Sequence, residues 1–196
     1  MPLRAMLFDL DGTITKPLLD FPAIKRDIGL PADSFILEAM EAMTPADRRR
    51  AMDIVERHER QAAAKSELND GAKQLLDELA RRGIATGVIT RNSGESLETV
   101  LRLHGLSFAV AVTRDQAEPK PSPAGIRLAL KQLGAAAEEA VYVGDHAIDV
   151  KAGRAAGTRT IWITNGHRPT PAPEADWEVS CPADIIPLLD GLIGDR

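Results

Sequence analysis

Four short stretches carry residue types that can do chemistry together. The first is Asp9-Leu10-Asp11-Gly12-Thr13, directly after the apolar run Ala5 to Phe8. Residues two apart in a strand point the same way, so continued strand geometry would aim both carboxylates at one spot. Carboxylates so placed repel each other unless a cation lies beside them or one holds a proton. Hard-oxygen coordination of Mg²⁺, with one carboxylate free to act as a nucleophile, meets that condition. The plainer alternative is a solvated Asp pair at an Asp-Gly turn.

The second stretch is Thr90, which ends the apolar run Ile84 to Ile89 and precedes Arg91, Asn92 and Ser93. A hydroxyl beside the amides of a helix N-terminus makes a phosphate site, although Ser93 or Asn92 could simply cap the helix. The third is Lys120, set in Glu118-Pro119-Lys120-Pro121-Ser122-Pro123. Prolines on both sides stiffen the backbone, which suits a lysine that must point inward better than one in water. The fourth is Gly144-Asp145-His146-Ala147-Ile148-Asp149, after Val141 to Val143. Two carboxylates four positions apart can share one face as a helix begins, or serve as its cap and first-turn acid.

Each stretch follows a predicted strand. Five apolar runs, Ala5 to Phe8, Ile84 to Ile89, Phe108 to Val112, Val141 to Val143 and Thr160 to Ile163, are nearly continuous. That is the pattern of strands covered on both faces. Between them lie helical patterns: one capped by Asp70 and ended by Gly83, then Ser93 to Leu103 stopped by Gly105. Ala124 to Leu133 follows Ser122-Pro123 and ends at Gly134, and Ile148 to Ala155 ends near Gly157. This alternation predicts an α/β fold with a doubly wound, Rossmann-like parallel sheet. Right-handed crossovers then bring all the strand C-termini, and the four stretches, to one edge.

Residues 15–68 break the rhythm and contain no convincing strand. Thr44-Pro45-Ala46-Asp47 opens a helix expected to run to Ser66, preceded by shorter pieces around Phe21 to Ile28 and Asp33 to Met43. The expected organisation is a core of residues 1–14 and 69–196 with a small all-helical cap, residues 15–68, inserted after the first strand; the plainer alternative is an ordinary helical elaboration of the core.

Composition narrows the classes. A net charge of −5 with 27% charged residues gives no nucleic-acid footprint. No segment approaches the roughly 20 apolar residues of a membrane span. Met1-Pro2-Leu3-Arg4 precedes no signal-type apolar region. Cys181 is the only cysteine, so no intrachain disulfide forms and a reducing compartment fits. A soluble cytoplasmic protein, monomer or homodimer, with no nucleic-acid or membrane partner is expected.

Taken in order, the Asp pair, hydroxyl, Lys and second Asp pair resemble the haloacid dehalogenase superfamily in its phosphatase branch with a helical cap, a phosphoglycolate-phosphatase-like arrangement. The likeness spans nearly the whole chain: DLDGT at 9–13, the Thr of VITRN at 90, the Lys of PKPSP at 120 and GDHAID at 144–149. The resemblance implies a Mg²⁺-dependent hydrolase of a small phosphorylated metabolite. Asp9 would be the nucleophile and a metal ligand, and Asp11 the general acid and base, its backbone carbonyl joining the metal shell. Thr90, Arg91, Asn92 and nearby amides would meet the substrate's phosphoryl oxygens. Lys120 would neutralise Asp9 and the phosphoryl charge, Asp145 would ligate the metal, and Asp149 would ligate it or orient a metal-bound water.

A phosphomutase would show the same four signals and release an isomer in place of phosphate. A dehalogenase of this family lacks an acid at the position of Asp11, and a phosphonate hydrolase would need a cap lysine that nothing marks in Lys25 or Lys65. A catalytically quiet binding or regulatory protein is the rival outside enzymology. Among weaker candidates, Arg48-Arg49-Arg50 and His58 read as surface, Trp162 and Trp177 as packing, His146 as a helix-start residue, and Arg168 to Pro173 as a loop rimming the site. The expected substrate is a sugar phosphate, a glycolate-type phosphate or a nucleotide.

Overall fold

The computed structural model describes residues 2–167 and 174–193; the anticipated loop Arg168 to Pro173 lies outside them. All five apolar runs form strands: β1 (Ala5–Phe8), β2 (Ala85–Ile89), β3 (Val110–Val112), β4 (Ala140–Gly144) and β5 (Arg159–Ile163). A sixth, β6 (Trp177–Val179), extends the sheet beyond β5. Every pairing is parallel and the order is β3-β2-β1-β4-β5-β6. The chain winds outward in one direction from β1 and in the other from β4. The two central strands therefore flank the switch point, where a crevice opens beyond their C-termini.

Side chains alternate across β1. Met6 and Phe8 pack with Leu75, Leu79, Leu97 and Val100 on one face. Ala5 and Leu7 pack with Ile126, Ala129 and Ala152 on the other. The first face is covered by α4 (Ala72–Arg81), α5 (Gly94–His104) and the terminal α8 (Leu189–Ile193), the second by α6 (Ala124–Leu133) and α7 (Ala147–Ala156). Both faces are apolar, which is why the strand runs read as continuous.

Several helix ends follow local chemistry. Ser93 caps α5, and Gly105, Gly134 and Gly157 end α5, α6 and α7 in the left-handed region. Asp70, expected to cap α4, does not: Gly71 is the cap, at φ 76°. A Cβ at Gly71 would lie 2.5 Å from that of Ala183, so the close crossing there requires glycine. Asp70 faces outward, 3.6 Å from the Lys16 ammonium.

Between β1 and α4 come three helices, α1 (Phe21–Ile28), α2 (Ile36–Glu41) and α3 (Pro45–Ala64). Ile24, Met40, Ala51 and Val55 form a cluster of their own. The Thr44 hydroxyl accepts from the Asp47 amide, as its sequence context requires. Helix α2 is shorter than the expected Asp33 to Met43, and Arg48 donates to the carbonyls of Met40 and Glu41 at its C-terminal end. His58 is no mere surface residue; its ring lies 2.8 Å from Asp27 and ties α3 to α1. Among the described residues, no helix is long and apolar enough to cross a membrane.

Candidate active site

Register brings the first and fourth stretches together. Phe8 pairs with Val143, and the Asp9 amide donates to the Val143 carbonyl at 2.9 Å. Asp9 and Asp145 thus leave adjacent strand ends into the same crevice. Asp149, in the first turn of α7, projects back toward them, and one carboxylate oxygen from each of the three lies within 4.8 Å of the others. Two glycines allow this crowding. A Cβ on Gly12 would fall 1.9 Å from Asp145 Oδ2, and one on Gly144 would fall 2.2 Å from the Asp149 Cβ.

Lys120 enters from the loop before α6 and is almost fully buried. Its Nζ lies 2.6 Å from Asp9 Oδ1 and 2.6 Å from Asp149 Oδ1, and 5.7 Å from the centre of the Tyr142 ring. Burial works against its charge, but Asp149 and Asp9 outweigh that and hold it protonated well above the ordinary lysine range. Asp149 has both oxygens engaged, since its Oδ2 accepts from the His146 amide at 3.0 Å. It seats Lys120 and closes the start of α7. His146 caps that helix through Nδ1, in line with its reading as a helix-start residue.

One lysine does not balance three carboxylates. Burial, with the charges of Asp9 and Asp149 added, lifts Asp145 to about 8. Burial also lifts Asp9 to about 7, against the pull of Lys120. Such a set of hard oxygens, short of positive charge and shaped by two glycines, fits a small divalent cation such as Mg²⁺.

Asp11 stands apart from the three. The chain leaves strand geometry after Phe8, so strand periodicity does not set the directions of Asp9 and Asp11, although both line one cavity. Asp11 instead receives a 2.6 Å hydrogen bond from Asn92 Nδ2. Burial raises it to about 6; Asn92 pulls it down and the charge of Glu59 pushes it up. Asn92 therefore meets Asp11 directly.

The second stretch is buried at Thr90, whose hydroxyl accepts from the Asn92 amide at 3.1 Å. Of the amides that follow, expected to meet phosphate, two beyond Asn92 have protein acceptors. Ser93 donates to Glu59 and Gly94 to Asp115. Arg91 is neither solvated nor directed at the carboxylates. One arm donates to the Lys120 carbonyl at 2.6 Å, and the other pairs with Glu38 of α2 at 2.9 Å.

Several supporting residues gave no readable signal. Asn69 and Asn165 both donate to the Gly12 carbonyl, at 3.2 and 2.6 Å, and fix the turn after Asp11. Trp162, buried as expected, donates its indole N–H to the Asp145 carbonyl at 2.9 Å. Glu59 of α3 is buried against Arg114. Their partners lie up to 153 positions away along the chain, beyond any local pattern.

A family model described as haloacid dehalogenase-like hydrolase matches residues 20–163, most of the chain. The chain belongs to the haloacid dehalogenase-like hydrolase family. The matched span of this haloacid dehalogenase-like hydrolase begins after Asp9 and Asp11. An N-acetylmuramic acid 6-phosphate phosphatase of Pseudomonas putida is 31% identical over 98% of this chain and 99% of its own. A phosphoglycolate phosphatase of Xanthomonas campestris is 28% identical, covering 95% and 94%. A solved hydrolase from Pseudomonas syringae superposes with a TM-score of 0.83 at 20% identity, over 97% of this chain and all of that one. At that identity the superposition speaks for the fold.

Proposed function

We propose that this haloacid dehalogenase-like hydrolase is a phosphatase of small phosphorylated metabolites that transfers the phosphoryl group to Asp9. The observation that carries the reading is the unequal treatment of two neighbouring carboxylates. Asp9 has one oxygen pinned by Lys120 inside an acidic cluster, while Asp11 is held separately by Asn92. The near full-length relatives named as phosphatases support the same class of reaction.

In the proposed sequence an Asp9 oxygen attacks phosphorus, and the bond from phosphorus to the ester oxygen breaks. Asp11, protonated, gives its proton to the departing alkoxide. Water then attacks phosphorus, Asp11 takes back a proton, and the acyl-phosphate bond breaks to free phosphate and restore Asp9. One acid/base serves both halves, and a group near pH 6 suits that exchange. Lys120 holds Asp9 in place and offsets the charge of the incoming phosphoryl group. Asp9 and Asp145 would hold Mg²⁺, with Asp149 lending charge behind them and the Asp11 carbonyl joining as the family resemblance implies. When bound, the ion supplies positive charge to the phosphoryl oxygens.

The test is phosphate release from an aryl phosphate by wild type and Asp9→Asn, with and without Mg²⁺. Expected is release that needs both the metal and Asp9, with loss on the order of 10⁴-fold or more in the variant. Acid-quenched wild type should also carry a phosphoryl adduct on the peptide containing Asp9. A few per cent of wild-type activity left in Asp9→Asn would point to another nucleophile.

A further inference from the structure

The carboxylates form the floor of a cavity of about 320 Å³ whose opposite wall comes from the α1 and α2 region and has a different chemistry. That wall presents Leu18, Leu19, Phe21, Phe35 and Leu37, with Ile148 of α7 beside them. Phe21 and Phe35 are 52% and 56% exposed at the mouth, and Leu18 is 47% exposed. Leu103, the other large exposed apolar side chain among the described residues, is not among the cavity's lining residues. Concentration of exposed apolar surface at one rim of a catalytic cavity marks a contact surface for a ligand.

Three polar groups on this side are engaged with the protein. Lys25 Nζ donates to the Ala32 carbonyl at 2.6 Å, and Ser34 Oγ to the Pro31 carbonyl at 2.7 Å. Arg91 is spent on Glu38 and the Lys120 carbonyl. A polyhydroxylated leaving group would have to give up water for an apolar wall, leaving hydroxyls unpaired. An apolar one gains from the same exchange.

Building on the phosphatase reading, we infer that the substrate is an alkyl or aryl phosphomonoester with an apolar body, and that Phe21 and Phe35 bind that body. The inference departs from the sugar and glycolate phosphates suggested by family likeness.

The test compares kcat/KM for ethyl, hexyl and glycerol 1-phosphate in Mg²⁺, all with a primary alkoxide leaving group. Hexyl phosphate should exceed ethyl phosphate by roughly 10-fold to 200-fold, the range for burying up to four further methylenes. Glycerol 1-phosphate should do no better than ethyl phosphate. The double variant Phe21→Ser/Phe35→Ser, at two exposed positions, should bring the hexyl-to-ethyl ratio toward one. Glycerol 1-phosphate equal to or better than hexyl phosphate would overturn the inference and leave the phosphatase reading standing. An unchanged ratio in the double variant would overturn the assignment to these two side chains. No Mg²⁺-dependent release from these esters or an aryl phosphate would remove both readings together.

Discussion

The sheet edge and the helices between β1 and α4 face each other across one cavity and are built on opposite principles. At the edge, Asp9, Lys120, Asp145 and Asp149 are placed by strand register, two obligatory glycines and short bonds between charged groups. On the α1 and α2 side the wall is apolar, and its polar groups turn back onto their own backbone. Chemistry that must neutralise a phosphoryl group tolerates little displacement. A surface that sorts substrates by apolar contact can be redrawn one side chain at a time. Changes on the first side should therefore act on turnover itself, and changes on the second on selectivity and stability.

The largest effect within this contrast is expected from Asp11→Asn. It keeps the shape and the Asn92 contact region but removes the exchangeable proton, so kcat should fall by ~10²–10⁴-fold. A twofold fall in steady-state assays would remove Asp11 from proton transfer.

Next comes Gly144→Ala, which would drive a Cβ into Asp149 and so disturb the seat of Lys120 and the acidic cluster. A loss of Mg²⁺ affinity of about 10-fold to 100-fold is expected by calorimetric titration, in the range for altered metal surroundings. Unchanged affinity would show that Asp149 does not influence the ion.

A smaller effect concerns pH. Asp9 at about 7 and Asp145 at about 8 lie above the ordinary carboxylate range. Without metal, the folded state binds more protons than the unfolded chain. The stability these groups contribute is thus present below pH 4 and lost as pH rises through 7 and 8. A divalent cation competes with those protons, so Mg²⁺ should raise Tm more at pH 8 than at pH 6. An equal rise at both would place the ion elsewhere.

The smallest effect is expected from Glu38→Gln, which breaks the bridge from Arg91 to α2. Glu38 is 42% exposed on its side chain, so the stability change should stay within about 1 kcal/mol by urea unfolding. A loss of several kcal/mol would mean that this bridge, rather than the buried Glu59 and Arg114 pair, carries the attachment of helices α1 through α3.

Legibility in the sequence follows the same division. Ala124–Leu133 is bounded as the pattern predicts, because Pro123 and Gly134 punctuate both ends. Asp9, Lys120, Asp145 and Asp149 were legible because each follows an apolar run and topology carries such positions to one edge. β6 carries no strand signal of its own, having three residues with one buried, too few for a period to emerge. Asp70 failed as a cap because the tight crossing at Ala183 selects Gly71, and a crossing is a tertiary fact. Asn69 and Asn165 are ordinary loop residues until the fold brings both to Gly12. The apolar wall was hidden for another reason: Leu18, Phe21 and Phe35 look like core residues, and only the fold shows them exposed.

The bond from the Trp162 indole to the Asp145 carbonyl gives the protein a built-in optical reporter. Indole emission responds to the polarity and hydrogen bonding around its N–H, and this N–H is fastened to the residue that would grip the ion. The second tryptophan, Trp177, lies on the edge strand with the Arg159 guanidinium 5.9 Å from its ring centre. A change in emission colour on adding a divalent cation would thus register the settling of Asp145, with no dye, label or substrate required.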